Sequence, residues 1–66
     1  MTNKLILYAE DEEDDVFFFQ RAFTEAGILS PLVIVPDGIV AIDYISGAGA
    51  YSNRIEHPLP CLALLD

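Results

Sequence analysis

The chain has 66 residues with a hydrophobic content of 53%, and its 3 Lys plus Arg stand against 11 Asp plus Glu for a formal charge of -8. A chain of that size holds at most one small domain, whose single core is marginal without a staple or a partner. The negative charge repels phosphate backbones and anionic membranes, the apolar share is too large for an acidic disordered tail, and no apolar run approaches the ~20 residues of a membrane span.

Nucleic acid and membrane are therefore not expected as direct partners, and no leader-like segment opens the sequence. A soluble, cytoplasmic protein is the expectation. The lone Cys61 forms no internal disulfide, and its place in an apolar run predicts a core residue in a reducing compartment. Six of the acids are consecutive, from Glu10 to Asp15.

Lys4 to Ala9 (KLILYA) is a short apolar run that stops at charge, the pattern of a strand buried on both faces. From Asp14 the period becomes helical, with Val16, Phe19, Ala22, Phe23 and Ala26 on one face and Gln20, Arg21, Thr24 and Glu25 for solvent. Acids in its first turn suit the positive helix end, and Gly27 supplies the stop. Phe17, Phe18, Phe19 and Phe23 exceed one helix face, so at least one ring is expected to be exposed or covered by a partner.

Leu32 to Val35 (LVIV) is β-branched, apolar and bounded by Pro36-Asp37-Gly38, which predicts a second strand and a turn. Ile39 to Ile45 has Ala41, Ile42 and Ile45 at helical spacing and ends at Ser46-Gly47, a short second helix. Gly47 to Pro60 has no period and reads as a long connection in which His57, with no second ligand at metal-binding spacing, is expected at the surface and Tyr51 carries no signal. Gly47-Ala48-Gly49 imitates a dinucleotide fingerprint but follows a helix and lacks a third glycine. Cys61 to Leu65 (CLALL) is a third apolar strand running into Asp66.

This strand-helix-strand-helix-strand order calls for right-handed crossovers and a parallel sheet, whose ligands bind beyond the carboxyl ends of the strands. If the first and third strands are neighbours, Glu10, Asp11 and Asp66 converge at one edge. Three clustered carboxylates stay ionised only if a cation or several donors offset their repulsion. A hard divalent ion is the natural answer, and Mg²⁺ bound by one or two carboxylates leaves room for phosphate oxygens. An aspartate can attack phosphorus, so the pattern suggests a metal-assisted phosphoryl acceptor. An acidic helix start is more often only a solvated terminus, and Glu12 to Asp15 are read that way.

The segments LILYAEDEEDD, PDGIVAIDYI and LPCLALLD resemble the first strand with its acidic pair, the second-helix segment and the phospho-acceptor strand of response-regulator receiver domains. They are most similar to small stand-alone receivers paired with phytochrome-type and other sensor histidine kinases, which share a long loop before the third strand. The resemblance implies an α/β, flavodoxin-like doubly wound parallel sheet of which residues 1–66 form the first half of a single domain. It implies that Glu10 and Asp11 hold Mg²⁺, that Asp66 both joins the metal site and accepts the phosphoryl group, and that a histidine kinase or phosphotransfer protein supplies it. On this reading the protein is a phospho-acceptor and not a conventional enzyme.

The family's later elements are absent from these 66 residues: the carbonyl that completes the metal site, the Ser or Thr that senses the phosphoryl group, and the Lys that pairs with it. Lys4 cannot replace that lysine from the far end of the first strand. An alternative is an acidic half-domain that binds a partner or pairs with itself through the edge of the third strand, without phosphotransfer. A metal-dependent phosphatase would want a second acid after its nucleophile, and none follows Asp66.

Overall fold

The computed structural model of the protein describes residues 4–65. The chain forms β1 (Ile6–Ala9), α1 (Glu13–Glu25), β2 (Leu32–Val35), α2 (Gly38–Ser46), a 3-10 turn (Gly49–Tyr51) and β3 (Leu62–Leu65). The three strands make one parallel sheet in the order β2-β1-β3. Ile6 is level with Leu32 and Leu62, and Ala9 with Val35 and Leu65, so all three strands finish along one line. This is the flavodoxin-like arrangement expected of the sequence, over its first three strands.

The core lies on one face of β1. Leu5, Leu7 and Ala9 are buried there at alternate positions, as the two-residue strand period requires, together with Val35, Ala41 and Tyr44. α2 comes close to the sheet at Ala41. It begins at Asp37, whose carboxylate accepts from the Val40 amide at 2.9 Å, a cap worth about 0.5–2 kcal/mol. It ends at Gly47, which takes the left-handed φ of 76° that closes a helix and suits glycine best.

α1 packs on the opposite face more loosely, and none of its residues is fully buried. It meets the sheet where Phe19 packs on Tyr8 of β1, with ring centroids 4.3 Å apart, and Phe23 lies against Phe19 one turn along the helix, at 5.4 Å. Val16, Phe19 and Phe23 are half-buried, whereas Ala22 and Ala26, expected on the same face, are exposed. Phe17 and Phe18 both point to solvent, as the excess of rings foretold.

One expectation is corrected. Cys61 is exposed, because it precedes β3 at the margin of the sheet and only its backbone is engaged, donating to the Leu5 carbonyl at 2.8 Å. β3, by contrast, presents the open apolar edge expected of it: it is largely exposed, since among the described residues it has one neighbour strand and no helix over it.

The connection from α2 to β3 is also better ordered than its composition suggests. His57 and Tyr51 are half-buried against Tyr44, with ring centroids 5.0 to 6.0 Å apart. Aperiodic loops hide such contacts because their packing follows no spacing rule.

Candidate functional site

β1 ends where the acidic run begins, and that placement decides which acids matter. Glu10 is the only charged residue buried among those described, at 6% exposure, while Asp11 beside it is exposed. Its backbone amide donates to the Val35 carbonyl at 3.0 Å and fixes it to the end of β2. The Tyr8 hydroxyl donates to Glu10 Oε1 at 3.0 Å and the Glu12 amide to Oε2 at 3.2 Å. The second of these bonds also satisfies an amide at the start of α1, where Glu12 makes no side-chain cap.

Glu10 stands between two open grooves along the carboxyl edge of the sheet. One, of about 340 Å³, runs toward β2 and is lined by Glu10, Asp11, Glu13, Val16, Ile34 and Pro36. The other, of about 520 Å³, lies toward β3 between Tyr8, Glu10, Asp15, Phe18, Phe19 and Leu65. Since the chain passes from β1 to β2 on one side and later to β3 on the other, this second groove opens at the topological switch point, where ligands of such sheets bind.

The site suits a hard cation only in part. Each Glu10 oxygen accepts one hydrogen bond and keeps lone pairs for a further ligand, and among the described residues no Lys, Arg or His neutralises it. Asp11 supplies a second carboxylate. No group of three potential ligands exists among the described residues, and Asp66, the expected third, lies outside them. β1 and β3 are neighbours, the condition on which the predicted convergence depended, and Leu65, level with Ala9, is the residue before Asp66.

Two contributors escaped the sequence reading. Tyr8 looked like one more strand residue, yet it orients Glu10. Arg54, in the aperiodic loop, donates to three backbone carbonyls around the end of α2. One of only three Lys and Arg residues in the chain, placed in an otherwise uncharacterised loop, was the available signal.

No family model and no curated protein matches the chain. Among solved structures, it superposes with a TM-score of 0.92 on a response regulator in red light signaling of R. palustris, at 35% identity and over 96% of its own length. The chain matches the first part of a response-regulator receiver domain. This receiver segment spans 44% of the length of that response regulator. No helix among its described residues is long and apolar enough to cross a membrane.

Proposed function

We propose that this receiver segment is the phospho-acceptor part of a two-component signalling protein, taking a phosphoryl group from a histidine kinase or phosphotransfer protein onto Asp66. The observation that carries the reading is the buried Glu10 at the switch-point edge, held by Tyr8 and Glu12 beside the exposed Asp11. Burying an ionisable carboxylate is costly, and hydrogen bonds with no cation offset that only partly. Mg²⁺ held by Glu10, Asp11 and Asp66 would complete the offset and would neutralise charge on the transferred group.

In the transfer, an Asp66 carboxylate oxygen forms the new P–O bond as the N–P bond of the donor phosphohistidine breaks. The electron pair of that bond returns to the imidazole nitrogen, which takes up a proton. The aspartyl phosphate adds negative charge at the sheet edge and alters what the surface binds.

Mg²⁺ titration followed by tyrosine fluorescence tests this reading, because Tyr8 contacts Glu10. Saturable binding that Asp11→Asn weakens at least about tenfold is expected from the loss of a charged ligand. Indifference to Mg²⁺ in both proteins would sink the proposal and favour a partner-binding half-domain. The exposed apolar strand edge of Leu62 and Leu65 gives that second reading its footing.

A further inference from the structure

The longest stretch without regular strand or α-helix, residues 47–61, is organised by one side chain. Arg54 Nη1 donates to the Tyr44 carbonyl at 2.8 Å and to the His57 carbonyl at 3.1 Å, and Nη2 donates to the Ile45 carbonyl at 2.6 Å. Tyr44 and Ile45 belong to the last turn of α2, whose carbonyls run out of intrahelical partners, and a cation there also meets the negative end of the helix. His57 belongs to the outgoing half of the loop. One planar guanidinium thus ties the end of a helix to the segment that leaves it, which a single ammonium cannot do in the same geometry.

The surroundings are shaped for it. A Cβ on Gly47 would lie 2.9 Å from Arg54 Nη2, so the glycine that ends α2 also leaves space for the fork. Just beyond His57, the Pro58 carbonyl accepts from the Tyr44 hydroxyl at 3.0 Å. Three residues later, the Cys61 amide donates to the Leu5 carbonyl and begins the pairing of β3 with β1. β3 has four residues and one neighbour among those described, and so short a pairing depends on how the preceding chain is delivered.

We propose that Arg54 is a positioning residue, clasping the loop to the end of α2 and thereby setting how β3, the strand that leads into Asp66, docks on β1. Its consequence for phosphorylation rests on the function proposed above, whereas its consequence for the strand does not. Two readouts on the full-length protein carrying this sequence separate them.

The first is residue-resolved amide exchange in wild type, Arg54→Ala and Arg54→Lys. The Cys61 amide should exchange at least about tenfold faster in both variants, while the Glu10 amide, which bonds β1 to β2, changes less than about twofold. Equal acceleration at both amides, which marks general destabilisation, or no acceleration at Cys61, overturns the proposal. So does wild-type exchange in Arg54→Lys, since charge without the fork would then suffice.

The second is phosphorylation by acetyl phosphate with Mg²⁺, which should slow at least about tenfold in Arg54→Ala. An unchanged rate alongside faster Cys61 exchange overturns the link to the acceptor. A wild-type protein that takes no phosphoryl group at all defeats the proposed function and leaves the exchange result to decide the role of Arg54.

Discussion

Tyr44 joins the core, α2 and the loop through one side chain. It is 1% exposed, packs against the tilted Tyr51 ring and edge-on to His57, and donates to the Pro58 carbonyl. Burial pushes its hydroxyl above the ordinary tyrosine range, with Arg54 pulling the other way and Tyr51 adding to the rise. Because the folded-state value is raised, the stability it contributes is intact below a pH of about 10 and is lost as pH climbs through the folded value. Tyr44→Phe should cost about 1 kcal/mol at neutral pH through the lost hydrogen bond. In thermal melts from pH 8 to 11, wild type should then lose stability more steeply than Tyr44→Phe. Parallel slopes would show that the hydroxyl does not titrate with folding. The sequence reading puts Ile42 and Ile45 beside Ala41 at helical spacing and passes over Tyr44, whereas the structure buries Ala41 and Tyr44 and exposes both isoleucines. The partners of Tyr44, 7 to 14 residues downstream, were not legible either, because no period links them.

At the scale of elements, the termini of α2 carry more information than its middle. Asp37 caps the start and Gly47 shapes the end, and both were readable as punctuation around an apolar run. Gly47→Ala tests the second point, since it forces a side chain into a φ of 76° and brings a Cβ against Arg54. A loss of about 1–2 kcal/mol in urea unfolding is expected from the left-handed backbone alone. A stability unchanged from wild type would mean that the end of the helix readily rearranges. In α1 the acids at Glu13, Asp14 and Asp15 sit at the favourable helix end. Its Arg21–Glu25 pair is exposed and spaced four residues apart, so Arg21→Ala should change the melting temperature by no more than a degree or two.

Across the whole molecule, apolar surface is distributed unevenly. Leu7 has no exposure, while Ile39, Ile42, Leu62 and Leu65 on α2 and β3 remain largely uncovered. An apolar strand with an unpaired edge is a template for pairing with another chain. A polypeptide of these 66 residues alone should therefore associate, and sedimentation velocity over a hundredfold concentration range should show the weight-average mass rising. A monomer at every concentration with a sharp, concentration-independent melt would refute this. The charge of -8 opposes close approach, so association should strengthen with salt.

The order of elements, the parallel sheet and the acidic edge were all determined by the sequence, because strand and helix periods and the punctuation of Asp37 and Gly47 are local properties. The resemblance to receivers was likewise carried by short runs at the ends of strands. Tertiary structure alone decided that Glu10 is buried while Asp11 is not, that Tyr8 supports it, that Cys61 faces outward, and that Arg54 organises the loop. Each of those outcomes depends on which distant backbone passes nearby, and a carboxylate, a thiol or a guanidinium carries no mark in the sequence of what it will meet.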